Sequence, residues 1–252
     1  MRPRIIPILL IDQRRLVKTI GFRNPNYLGD PINTIRLFNE LEVDEIIVLD
    51  ITRKTNEIDF EYLKTLTTEC FMPFTYGGKI NRLKDISNLL KIGIEKVSIN
   101  SKGLQSPNFL SEAVKEFGGS TIVASIDVKK SFLGNYKIYS SNGKKKQPVS
   151  VTDWIQRCCD MGVGEILINS IDRDGKMVGY DFELISKITN LNNVPIVIAG
   201  GAKNLKDHKI AKEKYNISGT AAGSMFVYHN RKESILINYP SRNEINKVFS
   251  NQ

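Results

Sequence analysis

The sequence predicts an α/β fold, a single (β/α)₈ TIM barrel, and three observations predict it. Short β-branched runs alternate with longer helical patterns from end to end, which implies parallel strands joined by helical crossovers. The length, 252 residues, is close to the roughly 250 that this fold takes. Paired features also recur at one spacing in the two halves of the chain. Gly77-Gly78 and Gly200-Gly201 lie 123 residues apart, as do Asn100-Ser101 and Gly223-Ser224, while Asp50 and Asp172 lie 122 apart. Two half-barrels of four βα units, about residues 1–120 and 121–240, account for that repeat, whereas an open sheet does not. No Gly/Pro/Ser-rich linker interrupts the chain, so residues 1–252 are expected to form one domain.

In order, the expected strands cover residues 5–11, 45–50, 74–76, 96–99, 122–127, 165–169, 195–199 and 219–223. Helical patterns fall between them at 31–41, 60–68, 83–92, 108–117, 151–161 and 205–214. Two connections are long. Residues 18–30, between the first strand and the first helix and with Gly21, Pro25, Asn26 and Gly29, read as a candidate lid. Residues 128–150 contain Gly134-Asn135 and Asn142-Gly143 around an alternating run at 136–139. That is hairpin chemistry, and it predicts a β-hairpin excursion after the fifth strand.

Composition narrows the function classes. The chain is 41% hydrophobic and 25% charged, ordinary values for a globular protein. No apolar run approaches the roughly 18–20 residues that cross a bilayer, so no membrane role is expected. The opening Met1 to Pro7 reads as part of a first strand rather than a signal peptide. Three cysteines, Cys70, Cys158 and Cys159, are odd in number and lack metal-ligand spacing to His208 or His229. They suit a reducing cytoplasm and predict no bound metal or other cofactor. The net charge of +9 comes without an arginine-rich helix or a stacking aromatic pattern. It is read as a solvated surface that attracts anionic substrates rather than as a nucleic-acid footprint.

Active sites of such barrels gather at the C-terminal ends of the strands. Gly77-Gly78, Gly200-Gly201 and Gly223-Ser224 sit there, where glycine lets backbone N–H groups approach an anion. With Asn100-Ser101 as the repeat partner of Gly223-Ser224, two opposed sites are expected for a substrate with two phosphate-like ends. Acids at strand ends, Asp50, Asp127, Asp172 and Asp174, are candidates for proton transfer, and Asp127, ending the fifth strand, has the best position. At the other strand ends stand Arg4, Glu45, Lys96 and Glu165. By spacing alone these are either a neutralised ring on the barrel floor or ordinary surface charges.

The segments Asp44-Glu45-Ile46-Ile47-Val48-Leu49-Asp50-Ile51, Pro73-Phe74-Thr75-Tyr76-Gly77-Gly78 and Lys96-Val97-Ser98-Ile99-Asn100-Ser101 carry a family resemblance. So do Gly29-Asp30-Pro31, Gly164-Glu165-Ile166-Leu167 and the run from Ser170-Ile171-Asp172-Arg173-Asp174-Gly175 to Gly179-Tyr180-Asp181. Along essentially its whole length the chain resembles the cyclase subunit of imidazole glycerol phosphate synthase, the HisF family. The resemblance implies a glutaminase subunit docked at the floor to form a heterodimer, with ammonia passing through the barrel to a phosphorylated molecule at the mouth. It implies that Arg4, Glu45, Lys96 and Glu165 form the ammonia gate and that Glu95, beside Lys96, faces the glutaminase. Lys18, Asp174 and Gly175 join Gly77, Gly78, Asn100, Ser101, Gly200, Gly201, Gly223 and Ser224 as the implied substrate-binding set.

Two positions depart from the family pattern. Its catalytic aspartates, at the ends of strands one and five, map onto Leu10 and Asp127, and Leu10 has no proton to give or take. Asp12, two residues on, is the candidate substitute. Lys79 stands where a third glycine is usual. The chain most resembles cyclase-like paralogues of surface-polysaccharide gene clusters, through Leu9-Leu10, Leu16-Val17-Lys18-Thr19, residues 27–33 and Glu69-Cys70-Phe71-Met72-Pro73. That branch implies an ammonia source for a separate amidotransferase making an acetamidino sugar. Against it stand a true lyase of histidine biosynthesis and a barrel that only scaffolds partners. Leu10 argues against the first of these, and the retained floor charges against the second.

Overall fold

The computed structural model describes residues 2–189, 194–229 and 234–250. Eight strands form a closed ring: β1 (Arg4–Asp12), β2 (Ile46–Asp50), β3 (Phe74–Gly77), β4 (Lys96–Ile99), β5 (Ile122–Lys130), β6 (Glu165–Ser170), β7 (Ile196–Ala199) and β8 (Gly219–Ala222). Every strand pairs in parallel with its neighbour, and β8 returns to β1 through Arg4↔Gly219 to Pro7↔Ala222. Followed round the ring, these registers come back to β1 displaced by eight residues, the shear of a TIM barrel.

Each crossover carries a helix: α1 (Pro31–Glu40), α2 (Phe60–Thr68), α3 (Leu83–Lys91), α4 (Pro107–Phe117), α5 (Val151–Asp160), α6 (Phe182–Ile188) and α7 (Leu205–Tyr215), with α8 (Arg242–Phe249) after the last strand. Their starts are written locally. Asp30 caps α1 by accepting from the Asn33 N–H and is followed by Pro31 at the first turn, while Asn204 and Asp207 form a capping box on α7. Expected helix ends differ from the observed ones by at most one residue, the ordinary uncertainty of a fraying terminus. The helix Phe182–Ile188 and the terminal Arg242–Phe249 were not among the expected elements.

Alternation along β1 separates two cores. Ile5, Leu9 and Ile11 pack outward with Phe38, Leu66, Ile86 and Trp154, whereas Ile6, Ile8 and Leu10 point into the bore with Ile47, Val123, Leu167 and Val197.

The stretch expected as a lid is a continuation of the sheet. Past Asp12 the chain turns at Gln13 and Arg14, both left-handed (φ 52° and 64°), and Arg15–Ile20 runs back along β1 as far as Leu10↔Val17. Arg23–Gly29 then pairs with Arg15–Ile20. After β5, Tyr136–Ser140 pairs antiparallel from Asp127↔Tyr139 to Lys130↔Tyr136, which carries β5 three residues past its expected end. Lys145–Lys146 adds a third short strand.

Candidate functional site

The strand C-termini surround a cavity of about 490 Å³ lined by Leu10, Lys18, Gly77, Gly78, Asn100, Ser101, Asp127, Asp174, Gly175, Gly200, Gly201, Gly223 and Ser224. Backbone geometry demands glycine at the two turns that match across the repeat. A Cβ on Gly78 (φ 124°) would lie 2.5 Å from the Asp50 carbonyl oxygen, and one on Gly201 (φ 103°) would lie 2.3 Å from that of Gly179. Short helices, Ser101–Gln105 and Ser224–Val227, start at equivalent points beyond β4 and β8. The Oδ1 atoms of Asn100 and Asn169 and the Ser224 hydroxyl, all in the cavity lining, are buried without a hydrogen-bond partner among the described residues. Buried polar atoms are nearly always paired, which makes these three candidate ligand contacts.

The charged groups are arranged in pairs. Lys18 Nζ lies 2.9 Å from Asp174 Oδ1, and the Thr19 hydroxyl donates to Asp174 Oδ2 at 3.0 Å. Gly223 makes room for Lys18, because a Cβ there would come within 2.9 Å of the lysine Cε. Lys79 Nζ lies 2.9 Å from Asp50 Oδ2, and the Thr52 N–H donates to Asp50 Oδ1 at 2.9 Å. Asp172 accepts from the Lys130 N–H at 2.7 Å. Asp127 differs from these acids: among the described residues it has no cation, only the Asn100 amide donating to Oδ2 at 3.0 Å. Burial, reinforced by the like charge of Asp174, raises its carboxyl to about 7. Leu10 lines the same cavity. Asp12 does not reach it. It pairs with Arg15 where β1 turns back and lines a neighbouring outer cavity, so it supplies no acid in place of Leu10.

At the N-terminal ends of the strands the four floor residues converge. Arg4 bridges both carboxylates, Nη1 to Glu45 Oε2 and Nη2 to Glu165 Oε1. Lys96 Nζ bridges the same two, 3.1 Å from Glu45 Oε1 and 2.9 Å from Glu165 Oε2. The glutamates are almost wholly enclosed, with side chains 4% and 7% exposed, whereas Lys96 keeps 22% of its side chain open. Alternate strands β2, β4 and β6 direct Glu45, Lys96 and Glu165 to one level, and Gly219 of β8 leaves the fourth place empty of side chain. Arg4 fills it: a Cβ on Gly219 would lie 3.3 Å from Arg4 Nη2. Glu95 is exposed on the same face.

Sequence reasoning missed several members. The Thr75 hydroxyl donates to Glu45 Oε1 at 2.9 Å and turns the ring into a five-residue cluster. The Lys79–Asp50 pair was not foreseen, although both residues were singled out separately. Arg2 makes a bidentate pair with Asp44 beside the ring, and the Asp44 carboxylate also accepts from the Ile5 N–H. No periodic signal distinguishes these polar residues from surface ones. Among the described residues no group of three His, Cys, Asp or Glu side chains could hold a metal ion, and no helix is long and apolar enough to cross a membrane.

Comparison with known proteins places these features in a lineage. A family model described as histidine biosynthesis protein matches residues 4–232. A provisionally assigned imidazole glycerol phosphate synthase subunit HisF of Leptospira interrogans is 42% identical over 252 residues, covering 99% of each chain. A provisionally assigned subunit hisF2 of Pseudomonas aeruginosa is 42% identical over 247 residues, 97% of this chain and 98% of that one. The imidazole glycerol phosphate synthase subunit HisF of Alkaliphilus metalliredigens is 36% identical over 228 residues, 90% of each.

Proposed function

We propose, from the premise that the chain belongs to the histidine biosynthesis protein family and is HisF-like, that it is the barrel subunit of a glutamine amidotransferase complex. It receives ammonia from a glutaminase subunit at the floor and conducts it to the mouth. The observation that carries this reading is the closed floor ring. Burying four charges is expensive, and an apolar plug of similar volume is often as stable or more so. Ammonia is small and neutral, so it passes when one side chain swings aside, while ions are held back. Lys96, which holds both glutamates through a single ammonium on a flexible stem, is the moving part. Above the ring, the hydroxyls of Thr75, Ser98 and Ser125 interrupt an otherwise apolar bore, and Ser98 Oγ has no partner among the described residues. They give ammonia successive hydrogen-bond partners. Glu95, exposed beside Lys96, meets the glutaminase.

At the mouth the glycine turns, Lys18 and the unpartnered Asn169 and Ser224 oxygens bind a phosphorylated ligand. Leu10 leaves Asp127 without a second acid, so the ammonia serves an acceptor other than the cyclase substrate. The sequence branch points to a sugar receiving an acetamidino group on a separate enzyme. The test is to purify the barrel with the glutaminase from its own gene cluster and follow glutamine nitrogen. A barrel that neither binds that glutaminase nor raises its glutamine hydrolysis ends the proposal.

One observation favours a second reading. Asp127 holds its proton near neutrality, the condition for general acid–base work, which fits the lyase that makes imidazole glycerol phosphate. Growth of a histidine auxotroph lacking its cyclase subunit, restored by this chain, would decide for that reading.

A further inference from the structure

A second cavity, of about 980 Å³, opens beside the mouth between the β1 hairpin, the β5 hairpin and the loops after β2 and β6. Six cations line it: Arg23, Arg53, Lys54, Lys129, Lys144 and Lys176. None of the six forms an ion pair among the described residues, although twelve other lysines and arginines of the chain do. The only acids in the lining are Asp12 and Asp172, and Asp172 already accepts from the Lys130 N–H. Like charges gathered round one concavity repel and raise the local potential. An anion with several charges relieves that repulsion. Two aromatic side chains, Phe22 and Tyr139, stand among the cations. Phe22 is fixed there by the turn of the second hairpin, its Cδ2 3.1 Å from where a Cβ on Gly143 would be. Thr19, Phe22, Ile51, Arg53, Asn142 and Lys144 line both this cavity and the mouth.

We propose that this outer cavity is a binding site for a nucleoside diphosphate, its diphosphate held by the unpaired cations and its base against the Phe22 and Tyr139 rings. The site is separate from the glycine turns of the mouth and does not depend on how the ammonia reading is settled. Because the two cavities share one wall, a ligand here also fixes the β1 hairpin over the mouth.

Calorimetric titration of the purified full chain tests it, with ADP, inorganic pyrophosphate and adenosine as probes. ADP is expected to bind saturably and more tightly than pyrophosphate, with affinity falling as salt rises, and adenosine is expected not to bind. The paired change Lys54→Ala and Lys129→Ala, at positions confined to the outer cavity, is expected to weaken ADP about tenfold, the order of one or two lost charge-assisted contacts. Lys84→Ala with Lys115→Ala, exposed on α3 and α4, controls for net charge and leaves affinity unchanged. Lys18→Met, which removes a mouth cation, also leaves it unchanged. Equal affinity for ADP and pyrophosphate would overturn the nucleoside assignment. Loss in Lys18→Met but not in the paired variant would move the anion to the mouth, and no binding at low salt would remove the site altogether.

Discussion

Lys79 reaches Asp50 across 2.9 Å at the rim of the mouth, from the turn after β3 to the end of β2, and both side chains are nearly out of solvent. The lysine makes this contact from a left-handed backbone conformation (φ 59°) that glycine adopts without strain. Its ammonium therefore occupies space beside the Gly77-Gly78 turn and neutralises an acid that would otherwise repel an anion there.

Lys79→Met is expected to destabilise the fold by about 1–3 kcal/mol, because it leaves a buried carboxylate without its cation. Lys79→Gly loses the same contact but relieves roughly 1 kcal/mol of backbone strain, so its urea midpoint should lie between those of the parent and Lys79→Met. A glycine variant less stable than the methionine variant would show that this backbone carries no strain.

Asp127 sets a pH dependence of known sign. Its folded value of about 7 lies above its ordinary 3.8, so the stability it contributes is intact below about pH 4 and is lost as pH rises toward 7. The loss is on the order of 4 kcal/mol at roughly 1.4 kcal/mol for each tenfold change. Asp127→Asn is expected to gain stability relative to the parent between pH 4 and pH 8 in denaturant titrations. Parallel pH profiles would show that Asp127 is ionised with little penalty.

His208 titrates in the opposite sense. Burial lowers it to about 3 from 6.5, so the stability of its neutral form is present above pH 6.5 and is lost as pH falls toward 3. Its Nδ1 is 2.7 Å from the Thr220 hydroxyl, which donates to the Arg4 carbonyl. His208→Phe should flatten the acid limb of thermal melts between pH 6 and pH 4. An unchanged limb would mean that other groups govern acid unfolding.

On the proposed reading, Leu10 limits chemistry at the mouth. Loss of one member of an acid–base pair costs on the order of 10²–10⁴ in rate, and ammonia-dependent cyclase turnover by the purified chain is expected to be unmeasurable. Leu10→Asp should recover weak turnover, with Lys79 still crowding the substrate. Parent activity equal to that of an ordinary cyclase subunit would refute the assignment of Leu10 as the missing acid.

The floor separates stability from conduction. Glu165→Leu leaves Arg4 and Lys96 sharing one carboxylate and should destabilise by about 3–5 kcal/mol. Replacing all four together (Arg4→Met, Glu45→Leu, Lys96→Met, Glu165→Leu) is expected to restore most of that loss while abolishing transfer of glutamine nitrogen through the barrel. Lys96→Ala should let ammonia escape to solvent, read as glutamine hydrolysis exceeding amidated product. A quadruple variant that still couples the two would show that the ring is not the gate.

Strand positions were legible because β-branched runs such as Ile46-Ile47-Val48 and Ile196-Val197-Ile198 are buried on both faces, a state that reads as a continuous apolar run. The glycine turns were legible because Gly78 and Gly201 occupy backbone space closed to any side chain. The antiparallel run of Arg15–Ile20 was not, since Gln13 and Arg14 are neither glycine nor asparagine and yet take the left-handed turn. Nor was the partnering of Lys18 with Asp174, 156 residues apart. Which charges meet depends on ring closure, and spacing along the chain carries no trace of it.

β1 enters at the floor with Arg4, crosses the barrel to Asp12 and doubles back on itself without a break in hydrogen bonding. Nine residues at roughly 3.3 Å each make a beam of about 30 Å, with the floor ring's arginine at one end and Lys18 folded back beside the other. Both edges of that beam are pinned, to β8 and β2, and its turn has no glycine to act as a hinge. Axial displacement at one face of the molecule therefore reappears at the other. Whatever docks beneath the barrel and whatever lies in its mouth push on opposite ends of the same rod.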